Sequence, residues 1–161
     1  MENFTKVYAL TRRNRLSSAL GLLISPVTQN INTEYRDDLN HAWYCVGDIC
    51  FKMGNFQDAK DAFRRALSFR KHDFDALHAL GNCYAELGRP VLAERNFRRA
   101  LLNASAVDAS RRADLKFNVA NALLDQRRFD NAIKILRLLV KTGWHGAECA
   151  AKNLKFAQDR G

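Results

Sequence analysis

His41 and Cys45 stand four residues apart, and this spacing places both side chains on one face of a helix. Together with His78 from a later segment, they offer the imidazole and thiolate ligands that a zinc ion prefers. The alternative is that Cys45, Cys50 and Cys83 are small buried hydrophobes, while the histidines belong to a groove or to the surface. We favour this alternative, and we predict no metal ion and no other cofactor.

Catalysis has no comparable candidate in the sequence. The chain has none of the GxSxG, GxxxxGK[ST] and HExxH motifs that place a nucleophile, a phosphate-binding loop or a catalytic zinc ion. It also has no Gly-rich turn of the kind that joins a strand to a helix. We therefore predict that the protein is not an enzyme.

A repeat of 34 residues organises the elements that position the side chains. The pentapeptide Phe-Arg-Arg-Ala-Leu occurs at 63–67 and again at 97–101. The same offset relates Gly54 to Gly88. A third, weaker copy follows 39 residues later with Arg127 in place of that glycine, so five extra residues precede it. Self-similarity at this period indicates stacked helical hairpins.

This pattern resembles the tetratricopeptide repeat, a helix-turn-helix unit with Leu-Gly and Tyr on its first helix and Ala, Phe and Ala on its second. The first two copies match it at Trp43, Val46-Gly47, Cys50, Gly54, Ala59, Phe63 and Ala66, and at Leu77, Leu80-Gly81, Tyr84, Gly88, Ala93, Phe97 and Ala100. The third copy keeps Ala132 and Leu136 but has Val140 at the last small position, and is degenerate. The resemblance implies an all-α fold, a right-handed superhelix of stacked hairpins.

The segments follow from the repeats. We predict an N-terminal helical extension over 1–39, repeats over 40–73 and 74–107, an insertion plus the degenerate repeat over 108–146, and a C-terminal capping helix over 147–161. The extension contains an amphipathic helix over 3–24 that ends near Ser25-Pro26, and the helical part of the cap spans 147–158. The insertion, within 104–112, lengthens either a helix or a loop.

The N-terminal extension allows three interpretations. Residues 3–33 carry several basic side chains and no acidic one, which is also typical of a transit peptide or of a helix on a membrane surface. We favour the third interpretation, a structural helix that folds back into the groove or forms a homodimer.

The resemblance also implies where a partner binds. In this family the first helix of each repeat lines a concave groove, and the matching positions here combine aromatic, amide and acidic groups. The candidate partner-binding residues are Tyr44, Asp48 and Phe51, then His78, Asn82 and Glu86, then Phe117, Asn121 and Asp125. Amides suit a peptide backbone, rings suit apolar side chains, and the acids favour a partner that carries Lys or Arg. The family's carboxylate clamp is not matched, because Tyr44, Asp48, Asp75 and Ala79 replace its cations.

The second helices carry the opposite charge. The chain has 26 Lys and Arg against 17 Asp and Glu, a net charge of +9. Arg64, Arg65, Arg98 and Arg99 recur one repeat apart and predict a basic convex face suited to nucleic-acid phosphates. No aromatic side chains are interleaved for base stacking, so we favour a solvated surface that keeps the protein soluble.

These observations predict a non-enzymatic adaptor or scaffold that binds a peptide or helix of a protein partner in the concave groove. One alternative is a cytosolic chaperone for a secreted partner, because three repeats in 161 residues resemble the layout of class II chaperones of type III secretion. The other alternative is a nucleic-acid scaffold that uses the basic convex face.

The sequence favours a cytoplasmic location. Its longest apolar run, over 19–24, is far shorter than the roughly 20 residues of a membrane-spanning helix. No signal-peptide pattern follows Met1, and the four cysteines form no CxxC pair, so we expect a reducing compartment.

Overall fold

The computed structural model describes residues 4–104 and 107–161. Contacts divide the chain into two compact units, Met1–Lys71 and His72–Gly161. Both units are helical, and the described residues contain no strand beyond an isolated antiparallel bridge in the first unit. The predicted all-α fold class is confirmed. No helix in this described part of the chain is long and apolar enough to cross a membrane.

The first unit places two short helices and a 3₁₀ helix before a longer hairpin. In chain order its described elements are α1 Thr5–Arg12, α2 Leu16–Leu23, the 3₁₀ helix Thr33–Asp38, α3 Leu39–Lys52 and α4 Phe56–Phe69. Helices α3 and α4 form the hairpin of the first repeat, and α2 packs beside α3.

The single helix predicted over 3–24 is wrong. Asn14 has a φ of 57°, a left-handed conformation that separates α1 from α2. The Arg15 backbone N–H donates to the Leu10 carbonyl at 2.9 Å and closes the turn. Asn tolerates this conformation better than most residues, whereas the apolar spacing continues across the break and hides it. Residues 1–3 lie outside the described part of the chain.

The second unit contains two further hairpins and a last helix. Its described elements are α5 Phe74–Glu86, α6 Pro90–Leu102, α7 Ala109–Asp125, α8 Phe129–Lys141 and α9 Ala147–Gln158. Helix α9 spans the residues predicted for the capping helix and packs against α8. Helix α9 thereby covers a face of the third repeat, as the terminal cap of a repeat array does.

Small and large side chains interlock inside the hairpins. A Cβ atom added to Gly47 of α3 would lie 2.6 Å from the Phe63 ring of α4, so no side chain fits there. Gly81 of α5 meets the Phe97 ring of α6 in the same way. Each glycine lets two helices approach closely, and the ring fills the space beside it.

The three hairpin turns share one backbone conformation. Gly54 and Gly88 have φ values of 78° and 66°, and Arg127 has a φ of 56° at the corresponding place in the third repeat. The arginine therefore keeps the glycine turn and accepts the strain of a left-handed residue.

The insertion before the third repeat mostly lengthens a helix. The Asp108 side chain accepts a hydrogen bond from the Arg111 N–H at 2.9 Å and so caps α7. Helix α7 has 17 residues, whereas α5 has 13. Ser105 and Ala106, which belong to the insertion, lie outside the described residues.

Candidate functional site

A cleft of about 300 Å³ opens between α1 and α3 in the first unit. Its walls are mostly apolar, and it is open to solvent on one side. The lining residues are Val7, Tyr8, Thr11 and Arg12 from α1, and Tyr44, Cys45, Asp48, Ile49 and Lys52 from α3. Because these residues recur at intervals of three and four, each helix presents one continuous face to the cleft.

Aromatic contacts hold α1 against α3 at one end of the cleft. Phe4 is only 7% exposed, and the centroid of its ring lies 5.0 Å from that of Tyr35 and 4.6 Å from that of His41. The Tyr8 hydroxyl and His41 Nε2 form a hydrogen bond. The N-terminal helix therefore packs on α3 and supplies one wall of the cleft.

Burial raises the pKa of two lining side chains further above neutral pH. It raises the pKa of Tyr8 to about 12, with a further contribution from the neighbouring Cys45. Burial also raises the pKa of Cys45 to about 12, although its hydrogen bond with Tyr8 acts in the opposite direction. A thiol with this pKa is a poor nucleophile, so Cys45 acts as a packing residue of the cleft.

The rim of the cleft carries a small positive excess. Lys52 Nζ lies 2.7 Å from the Asp48 carboxylate, so these two charges offset each other. Arg12 is exposed and makes no ion pair with any described residue. The sequence predicted an acidic groove, but at the rim of this cleft Lys52 offsets the charge of Asp48 and Arg12 adds a positive charge.

The first three candidate partner-binding residues separate into two groups. Tyr44 and Asp48 are half-buried and line the cleft. Phe51 does not line it, because its ring packs against Phe56 of α4 with the ring centroids 5.1 Å apart. Phe51 therefore stabilises the first hairpin.

In the second unit, three of the six candidates are engaged in contacts with residues of other elements. His78 Nε2 lies 2.9 Å from Asn118 Nδ2, and burial lowers the pKa of this histidine. Asn121 Oδ1 accepts a hydrogen bond from Asn153 Nδ2 of α9 at 2.8 Å. Phe117 packs against Trp144, with the ring centroids 5.3 Å apart.

The other three candidates of the second unit remain available to a partner. Glu86 and Asp125 are exposed at the ends of α5 and α7. Asn82 is half-buried, and its amide has no hydrogen-bond partner among the described residues. This open part of the wall is acidic.

Two of the histidine and cysteine ligands considered from the sequence, His41 and Cys45, lie together in the first unit. Their Nε2 and Sγ atoms are 3.6 Å apart. Across residues 4–104 and 107–161, no three His, Cys, Asp or Glu side chains are grouped to hold a metal ion.

The basic convex residues are exposed, but three of the four are engaged within the protein. The Arg65 guanidinium lies 4.5 Å from the centroid of the Trp43 ring. Arg98 Nε donates to the Glu94 carboxylate at 2.8 Å, and Arg99 donates to the Asn96 side chain at 3.3 Å. Arg64 is exposed and has no ion pair in the described part of the chain.

Two family models match the sequence, and both describe the tetratricopeptide repeat (TPR). One matches residues 38–106 and the other residues 92–147, so together they span more than half of the chain. The chain belongs to the TPR family. No curated protein sequence matches it significantly.

Solved TPR structures are similar to the chain over most of its length. YrrB, a TPR protein with an unusual peptide-binding site, has a TM-score of 0.77 at 19% identity, with 99% of this chain and 76% of YrrB covered. A MamA structure, MamA AMB-1, has a TM-score of 0.72 at 16% identity, with coverage of 98% and 80%. Repeats of a putative kinesin light chain from Podosopora anserina have a TM-score of 0.75 at 13% identity, with coverage of 99% and 85%. At these identities the similarity shows the shared TPR fold alone.

The sequence placed the candidate partner-binding residues on the TPR helices only, although one favoured interpretation had the N-terminal helix fold back into the groove. Val7, Tyr8, Thr11 and Arg12 precede the residues that the TPR models match. One signal was present: Phe4 and Tyr8 stand four residues apart, the spacing of an aromatic face on a helix. That face pairs with His41 of the first TPR.

Proposed function

We propose that the protein is a non-enzymatic interaction module that captures a peptide or helical segment of a protein partner. TPR proteins are generally interaction modules of this kind. The observation that carries the proposal is the cleft between α1 and α3, whose size and apolar walls suit one large apolar side chain of the partner.

The cleft combines an apolar floor with a polar rim. Val7 and Ile49 are almost fully buried and form part of the floor, while Tyr44 adds a half-buried ring. Burial of a Leu or Phe side chain at such a place stabilises a complex by about 1.5–3 kcal/mol. Rim groups then orient the segment and exclude water from the contact.

The charges of each unit favour different partner residues. At the cleft, Arg12 adds a positive charge to the Asp48–Lys52 pair, which favours an acidic residue beside the apolar side chain. In the second unit, exposed Glu86 and Asp125 favour a segment that carries Lys or Arg, as the sequence suggested.

We also propose a reducing, cytoplasmic location. Cys45 and Cys50 are buried thiols and not half-cystines. Burial raises the pKa of Cys50 to about 11, so this thiol resists oxidation through its thiolate. Buried thiols of this kind are typical of proteins in reducing compartments.

A substitution that fills the cleft tests the proposed function. Thr11 lines the cleft, and its hydroxyl donates a hydrogen bond to the Val7 carbonyl of its own helix at 2.9 Å. We expect Thr11→Phe to place a ring in the cleft and to weaken the binding of a peptide selected from a random library against the wild-type protein by about tenfold or more, a loss of about 1.4 kcal/mol. Isothermal titration calorimetry measures the affinity.

The matched control is Thr5→Phe, which adds the same ring at an exposed position of α1 outside the cleft. This variant should bind the peptide as the wild type does. Equal affinities for the wild type and Thr11→Phe would show that the peptide binds elsewhere and would overturn the proposal.

A further inference from the structure

A second cavity, of about 440 Å³, opens beside the turn between α7 and α8 in the second unit. Its lining residues are Arg127, Arg128, Phe129, Asp130, Asn131, Lys134, Arg160 and Gly161. Four of these side chains are cations, and one, that of Asp130, is an anion. The side chains of the lining therefore carry a net positive charge, which attracts anions from solution.

Most of this positive charge is not neutralised within the protein. Arg127, Lys134 and Arg160 make no ion pair with any described residue, and Arg160 instead lies 4.7 Å from the centroid of the Phe156 ring. Arg128 donates to the Glu94 carboxylate at 3.1 Å and keeps other donors for a ligand. Like charges around one cavity repel each other, and a bound anion relieves that repulsion.

Arg127 is not required by the turn it occupies. The corresponding residues of the first two repeats are Gly54 and Gly88, and all three have a positive φ. Glycine adopts this conformation without strain, whereas arginine does not. The turn therefore gives no reason for an arginine at this position, and its side chain lines the cavity.

We propose that this cavity, the arginine pocket, binds the phosphate chain of a small ligand, either free pyrophosphate or the diphosphate of a nucleotide. A guanidinium group can donate two parallel hydrogen bonds to phosphate oxygens, and the Lys134 ammonium adds a further positive charge. The Asn131 side chain supplies a neutral donor, and the Phe129 ring offers a surface for a base. The arginine pocket lies in the second unit and the α1–α3 cleft in the first, so either proposal can fail without the other.

Calorimetric titration of the full chain with sodium pyrophosphate at low ionic strength tests the arginine pocket. Arg127→Gly removes one cation and suits the turn, so we expect a folded protein by circular dichroism that binds pyrophosphate about fivefold more weakly or worse. Arg127→Lys restores the charge and should recover most of the affinity.

The matched control is Lys116→Gln, which removes one positive charge from an exposed position of α7 outside the pocket. It should keep the wild-type affinity within about twofold, because Lys116 does not line the pocket and so does not contact the bound diphosphate. Equal weakening of pyrophosphate binding by Lys116→Gln and Arg127→Gly would overturn the proposal.

A parallel titration with ADP distinguishes the two sources of the diphosphate. Tighter binding of ADP than of pyrophosphate would support the proposal and assign the ligand as a nucleotide whose base contacts Phe129. Equal affinities would support recognition of the phosphate chain alone. Absence of binding by both probes would contradict the proposal.

Discussion

Glu94 is the side chain that fixes the turn of the third repeat. It is 7% exposed, and its carboxylate accepts hydrogen bonds from Arg98 and Gln126, each at 2.8 Å, and from Arg128 at 3.1 Å. Gln126 and Arg128 flank Arg127, so these bonds hold the left-handed residue from both sides. They offset a strain of about 1 kcal/mol at Arg127.

Because the pKa of Glu94 is lowered in the folded protein, we predict that the stability of the protein depends on pH. Burial opposes ionisation, but the bonds from Gln126 and Arg98 and the charges of Arg98 and Arg128 outweigh it and lower the pKa below the ordinary value of 4.5. Ionised Glu94 therefore stabilises the folded protein fully at pH values above the pKa of Glu94 in the unfolded chain. This stabilisation is lost as the pH falls through the lower pKa of Glu94 in the folded protein. We expect Glu94→Gln to be less stable than the wild type by about 1–3 kcal/mol at pH 7, with the difference shrinking at acid pH. Urea unfolding at a series of pH values measures it.

The control for Glu94 is Glu148→Gln, which removes an exposed carboxylate paired with Lys152. Exposed pairs of this kind contribute about 0–1 kcal/mol, so this variant should unfold nearly as the wild type does. A Glu94→Gln protein as stable as the wild type at pH 7 would show that the Glu94 network does not stabilise the fold.

At the scale of the helices, two glycines of the first unit have opposite roles. Gly47 of α3 faces the Phe63 ring, whereas a Cβ on Gly21 of α2 would meet no atom within 4 Å. Gly47→Ala should therefore lower the free energy of unfolding by about 1–3 kcal/mol through overpacking. Gly21→Ala should raise it by about 0.5–1 kcal/mol, because alanine favours the helix. Chemical denaturation of both variants compares the two, and the same sign of change in both would refute this account of the hairpin.

The helices were predictable where their signals are local. The glycine turns and the Gly47–Phe63 pairing follow from residue types at a fixed offset, and α9 from apolar spacing. The break at Asn14 was not predictable from apolar spacing, which does not report a left-handed residue. The contacts of His78 and Asn121 were also missed, because their partners lie on other helices and no periodicity in the sequence pairs them.

For the whole molecule, membership of the TPR family accounts for the fold and not for the ligand. The family models match residues 38–147, but α1, which supplies one wall of the cleft, precedes them. Peptide binding in the cleft, as proposed above, therefore depends on an extension that the repeat pattern does not include. This is the usual relation between a repeat fold and its function, which belongs to the site and not to the fold.

The most direct test of the central claim is an amide ¹H–¹⁵N NMR titration of the full chain with the peptide selected against it. The account predicts that the largest shift changes in the first unit occur at residues on both walls of the cleft, including Thr11 of α1 and Asp48 and Ile49 of α3. Changes confined to the exposed face of α4 around Arg64 and Arg65, with α1 unaffected, would contradict it.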